Sequence, residues 1–134
     1  MRSYFFSRLL SIASIFGVIG VSFGAFAAHF LKSRIDVSDL EVLKTGVLYL
    51  FIHTLAILAV VLLGREDKES RLLKSCGVLF LTGVILFSGS LFLIATQSLS
   101  GLNLGFFGII TPIGGFCFII GWILLFLYSF SNRT

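Results

Sequence analysis

Charge is what this sequence has least of. Of its 134 residues, only 12% are Asp, Glu, Lys or Arg, while 57% are hydrophobic. Soluble domains carry about 25% charged residues. A chain this short has too much surface per unit volume to hide so much Phe, Leu and Ile in a water-solvated core. An ordinary soluble domain is therefore excluded, and the mean hydropathy of +1.10 points to lipid as the solvent.

Other scarcities exclude function classes. The two cysteines, Cys76 and Cys117, form no CxxC or Cys/His cluster, so no metal or cofactor site of the usual spacing is expected. They read as small apolar packing residues rather than a disulfide. The net charge is +4 and the pI about 9.4. The positive residues nevertheless stand singly at the ends of apolar runs and form no basic stripe, so no nucleic-acid partner is expected. No Asp or Glu lies within an apolar run, which weakens a carrier of the carboxylate-dependent kind. No nucleophile–base–orienter set can be assembled, so no enzyme is expected.

What is present is four long apolar runs: Leu9 to Leu31, Thr45 to Leu63, Cys76 to Thr96, and a fourth between Gly105 and Phe130. Crossing a hydrocarbon core of ~30 Å takes roughly 20 residues. In lipid every backbone polar group must be paired internally, which makes such runs helices. The expected fold is all-α, a single polytopic four-helix transmembrane bundle with spans at about 9–31, 45–63, 76–96 and 112–130. Gly64 to Lys74 is the most polar stretch and reads as a solvated loop. Gln97 to Phe107 carries no charge and reads as an interfacial or re-entrant linker.

Orientation follows from Lys and Arg in short loops. Arg2, Arg8, Arg65, Lys68, Arg71, Lys74 and Arg133 share one side, seven against the three of Lys32, Arg34 and Lys44. Both termini are therefore expected in the cytoplasm, with the chain in the inner membrane. Ala25-Phe26-Ala27 offers a competing reading as a signal-peptide cleavage site. The apolar stretch before it is longer than the ~7–15 residues of a signal core, so no cleavage is expected.

Two helix starts can be read. Ser38-Asp39-Leu40-Glu41 fits a capping box, with the second helix starting at Asp39. Thr111-Pro112 reads as an N-cap followed by proline at the first helical position. The alternative is a longer helix from Gly105 kinked at Pro112.

Small residues mark packing faces, because helices in lipid associate through close backbone approach. Ala13, Gly17, Gly20, Gly24, Ala27 and Ala28 recur at helical spacing, and Phe16, Phe23, Phe26 and Phe30 are expected mostly off that face. Cys76, Gly83, Ser90 and Gln97 repeat every seven residues. The fourth run offers Gly114, with Gly115 beside it, then Cys117, Gly121 and Tyr128.

The polar residues within the runs are the candidate functional groups. His53 sits mid-span and His29 near the outer end of the first span. Tyr49 lies four residues before His53 on the same face, close enough for the two side chains to hydrogen-bond. His53 is either a neutral packing residue or a titrating one. A joint metal site is disfavoured, since at ~1.5 Å per residue His29 lies roughly 10 Å nearer the outer surface. Ser88-Gly89-Ser90 is the remaining cluster, and Thr111 completes the set.

Four patches together resemble a known family. They are Gly24-Ala25-Phe26-Ala27-Ala28-His29 with Leu31-Lys32; Tyr49 with His53-Thr54-Leu55-Ala56; Phe87-Ser88-Gly89-Ser90-Leu91-Phe92; and Thr111-Pro112-Ile113-Gly114-Gly115 leading to Gly121-Trp122. The chain resembles the YgdD-like family of small bacterial membrane proteins, which also includes human transmembrane protein 256. Ala27 stands where that family usually has Gly, Leu43 where it often has Trp, and Phe92 where it often has Tyr. The resemblance implies an uncleaved first helix and supplies no function. The functional expectation is association with itself, with the lipid bilayer or with a membrane-protein partner. The alternative is a small channel or carrier with a polar path lined by His53, Tyr49, Ser88 and Ser90.

Overall fold

Runs without charge have one way to satisfy their backbone in lipid, and the chain takes it. The computed structural model describes residues 4–131. Arg2 and Arg133, counted above toward orientation, lie outside the described residues. Four helical segments are long and apolar enough to cross a membrane: Tyr4–Ser33, Val37–Glu66, Arg71–Ala95 and Gly105–Ser131. The first is α1 (Tyr4–His29) with a short 3-10 turn, Leu31–Ser33, after it. The second is α2 (Val37–Glu66), 30 residues long. The third is α3 (Arg71–Gly83), a π-helical turn (Val84–Ser88) and α4 (Gly89–Ala95). After α5 (Gln97–Ser100), a 3-10 turn (Gly105–Ile109) leads into α6 (Ile110–Ser131).

The helix ends differ from the sequence reading in instructive ways. α2 starts at Val37, with Asp36 at the N-cap position and no side-chain cap bond. The capping box at Ser38 does not form, because the Glu41 carboxylate pairs forward with Lys44 at 2.7 Å instead of reaching back. Helix continues through Glu66 and resumes at Arg71, so the solvated loop shrinks to residues 67–70. Ser70 is the cap the sequence reading missed: its hydroxyl accepts from the Leu73 amide at 3.3 Å. α6 starts neither at Pro112 nor as a kinked α-helix from Gly105. It starts at Ile110, which places Pro112 in the first turn, where a missing N–H goes unmissed. Thr111 is thus inside α6 rather than its N-cap. Gly101 ends α5 at φ +67°, a left-handed conformation that glycine adopts without steric cost.

α2 and α3 form the centre. α1 packs along α2, and α6 packs most extensively along α3. On α2 the core residues Leu43, Leu50 and Ile57 follow one another at seven-residue spacing, with Val60 one turn further, all shielded from solvent.

The contacts have a common form: a ring from one helix lies where a neighbour's glycine has no side chain. A Cβ on Gly121 would fall 2.7 Å from the Phe80 ring, and one on Gly46 2.7 Å from the Phe92 ring. On Gly64 it would run into the Phe6 ring, and on Gly83 into the Phe118 ring. Gly20 faces Leu50 and Phe51, each 2.8 Å from such a Cβ. At Gly114 the intruder is backbone, the Phe87 nitrogen at 2.5 Å, and Phe87 belongs to the π-helical turn. The π turn and α6 thus lie backbone to backbone at Gly114.

Other small residues take less part. Gly24 makes ordinary contact with Val47 at 3.7 Å, Gly115 only grazes Phe87 at 3.9 Å, and Gly17 has nothing within 4 Å. Conversely, Phe16 and Phe23 belong to the packing after all. Phe16 is buried, and Phe23 stacks on Phe92, the ring that occupies the gap at Gly46, with centroids 4.4 Å apart.

These distances separate two glycines on testable grounds. Gly114→Ala has no flexible neighbour to displace and should lower stability in detergent by about 1–3 kcal/mol, the usual cost of overpacking. Gly17→Ala has open space and should change it by less than about 0.5 kcal/mol. Equilibrium unfolding of both variants checks the contrast.

Candidate functional site

His53 lies on α2 and is only 3% exposed. Its ring is stacked flat on Phe118 of α6, centroids 3.4 Å apart and planes 8° apart. Phe80 of α3 borders it with centroids at 5.7 Å. Both ring nitrogens are engaged. Nδ1 lies 2.8 Å from the Tyr49 carbonyl oxygen, one helical turn back. Nε2 lies 3.1 Å from the Trp122 indole nitrogen of α6.

The indole N–H can only donate, so Nε2 must accept. A carbonyl can only accept, so Nδ1 must carry the proton. His53 is therefore the neutral Nδ1–H tautomer in this arrangement, a clamp between α2 and α6. Tyr49 contributes its carbonyl rather than its hydroxyl. The Tyr49 ring, 37% exposed, lies against Phe87 with centroids 4.6 Å apart.

The remaining candidates fall into separate places. Ser90 of α4 and Thr111 of α6 share a hydrogen bond of 2.6 Å. The Phe87 carbonyl lies 2.9 Å from the Ser90 hydroxyl and the Phe107 carbonyl 3.3 Å from that of Thr111, so whichever hydroxyl donates across the pair gives up its own carbonyl while the other keeps its own. This second clamp joins the two helices beside the π turn. Ser88 does not join Ser90. It is wholly buried, and its hydroxyl has no partner, as is true of Thr54 on α2. His29 ends α1 in an exposed position, away from His53. Among the described residues, no three His, Cys, Asp or Glu side chains gather in a way that could hold a metal.

Three partners of His53 escaped the sequence reading: Trp122, Phe118 and Phe80. The signal was available for one of them. A single indole N–H deep in an apolar run needs an acceptor, and a mid-span histidine is the natural one.

The family model described as a protein of unknown function (DUF423) matches residues 23–115. The chain belongs to the DUF423 family. A UPF0382 membrane protein of Haemophilus influenzae is 38% identical over 129 residues, covering 96% of this chain and 98% of the relative. The UPF0382 membrane protein YwdK of Bacillus subtilis is 36% identical, over 85% of this chain and 89% of its own. The UPF0382 inner membrane protein YgdD of Escherichia coli K12 is 38% identical, over 87% and 85% respectively. No solved structure matches the chain. The resemblance read from the four patches is thus established, and this is a membrane protein of the DUF423 family. The matched segment holds His29, Tyr49, His53, Ser88, Ser90 and Thr111 and stops before Phe118 and Trp122.

The clamp makes a spectroscopic prediction. The ¹⁵N shifts of His53 at neutral pH should show Nδ1 protonated and Nε2 bare. Trp122→Phe should shift the tautomer balance and cost about 0.6 kcal/mol, the average for an interhelical hydrogen bond in a membrane protein. An Nε2–H tautomer in the wild type would disprove the assignment.

Proposed function

We propose that this DUF423 protein is a non-catalytic membrane module that works by association, with itself, with lipid or with a membrane-protein partner. The observation that carries this reading is His53. It is the one buried His, Asp, Glu, Lys or Arg side chain among the described residues, and both its nitrogens are committed to other helical groups. Rings of Phe118 and Phe80 lie against it, which leaves it neither a free face nor a free lone pair for cargo. The second clamp, Ser90 with Thr111, likewise turns polar atoms toward each other. By contrast α1 and α6 keep much apolar surface turned outward, Val18, Val21, Ile119 and Phe126 included.

We further infer that both termini face the cytoplasm and that α1 is retained in the mature protein. Phe6–Gly64 and Leu9–Gly77 contacts bring Arg8 to the same end as Arg65, Lys68, Arg71 and Lys74. Lys32, Arg34 and Lys44 occupy the other end, which is the asymmetry the positive-inside rule reads. Phe6, Leu9, Ala13 and Phe16 of α1 contribute to the core, so cleavage after Ala27 would remove part of it.

One observation favours the rival channel or carrier reading. The buried hydroxyls of Ser88 and Thr54 have no partner, and unpaired polar groups in an apolar interior are costly. Two measurements separate the readings. Native mass spectrometry of protein extracted in mild detergent should show a stable complex, with a second copy or another protein. Liposomes containing the purified protein should leak protons and ions no faster than empty ones. A flux that His53→Ala abolishes, from a protein that is monomeric and alone, would sink the association reading. A green fluorescent protein fused to the C-terminus should fluoresce, and an alkaline phosphatase fused there should be inactive.

A further inference from the structure

We propose that the groove between the first half of α1 and α3 binds an anionic phospholipid, with an acyl chain in the groove and the phosphate on Arg8. The groove encloses about 390 Å³, within the range of roughly 300–1,000 Å³ typical of small-ligand sites. Phe5, Leu9 and Ile12 of α1 form one wall and Val78 and Leu81 of α3 the other. These side chains are pure hydrocarbon, a surface to which methylene groups adhere by dispersion. The groove opens beside the point where Leu9 lies over Gly77, 2.6 Å from where a Cβ there would sit.

Its mouth is different in kind. Arg8 and Tyr4 stand there, both exposed. The ion pairs among the described residues are Lys44–Glu41 and Lys74–Glu69, so Arg8 has no counter-charge within them. A guanidinium next to an apolar groove suits an anion that offers two oxygens to its fork, and a tetrahedral phosphate does so. Basic pockets between membrane helices are known sites for anionic headgroups.

Charge decides between occupants. A second copy of this chain would bring apolar helices to the groove, but its carboxylates at this end, Glu66, Asp67 and Glu69, stand among Arg65, Lys68, Arg71 and Lys74, so the facing ends carry net positive charge and repel. Free phosphate would satisfy Arg8 and leave the walls empty. A phospholipid with net negative charge meets both requirements at once. Arg65 and Arg71 stand at the same end but do not line the groove, which leaves Arg8 as its one cation.

The proposal rests on the chain being an association module in the membrane, but its test reads a different quantity. Ion flux tests that reading, and retained lipid mass tests this one. Delipidated full-length protein in mild detergent is given phosphatidylglycerol or phosphatidylcholine and examined by native mass spectrometry. Phosphatidylglycerol should stay bound and phosphatidylcholine should strip away. Arg8→Gln should lower retention about tenfold, as expected for losing a charge-assisted contact, and Arg8→Lys should restore part of it. Val78→Trp, at an exposed wall position, should block the groove and lower retention with Arg8 intact. Arg71→Gln should leave it unchanged. Equal retention of phosphatidylcholine, equal loss in Arg71→Gln, or a protein dimer forming in place of bound lipid would each overturn the assignment.

Discussion

Helices in a bilayer gain nothing by hiding apolar side chains from lipid, which is as apolar as they are. They hold together through close contact, and close contact here means a phenyl ring entering the gap at a neighbour's glycine. The sequence supplies the parts in quantity, with 16 Phe and 14 Gly. Phe6 over Gly64 joins α1 to α2, Phe92 over Gly46 joins α4 to α2, and the pairs Phe118–Gly83 and Phe80–Gly121 lock α3 and α6 in both directions. Each ring at van der Waals distance forms many small dispersion contacts, and a void would forfeit them. These rings hold neighbouring helices in register along the bundle.

The same interlock explains what happens to the polar groups. Phe118 reaches Gly83, and on its way its ring lies flat on His53. Gly121 admits Phe80, and the next residue, Trp122, is thereby aimed at His53 Nε2. Packing sets the histidine's tautomer. Beside Gly114, the backbone of Phe87 comes so close that the helix takes a π turn, a form often found where a helix adapts locally. Ser90 and Thr111 then pair across the junction. The polar groups act as pins through an interface whose fit the glycines and rings define.

Much of this was legible in the residues. Four uncharged runs matched four spans, and the seven-residue repeat of Cys76, Gly83, Ser90 and Gln97 marked a stripe that is buried at its first three positions, while Gln97 falls beyond the third span in α5 and is not buried. The family was readable from four short patches. Helix starts were less legible. The Ser38 capping box competes with a Glu41–Lys44 ion pair, and Thr111 had a better partner in Ser90 than in its own helix end. Phe16 and Phe23 were misplaced because size alone does not say whether a ring faces lipid or a neighbouring helix.

In water, hydrophobic periodicity distinguishes the buried face of a helix from the solvated one. In lipid both faces are apolar, and that signal is mute. The sequence by itself therefore determined what depends on composition and length: four helices long and apolar enough to cross a membrane, the end of the bundle where the positive residues gather, and one histidine amid the second apolar run. Only the tertiary structure decided which glycine receives which ring, that Tyr49 gives His53 its carbonyl and Trp122 its N–H, and that Gly17 is left open. Those choices depend on register between helices far apart in the chain, where a shift of one residue rotates every side chain by about 100° around its helix.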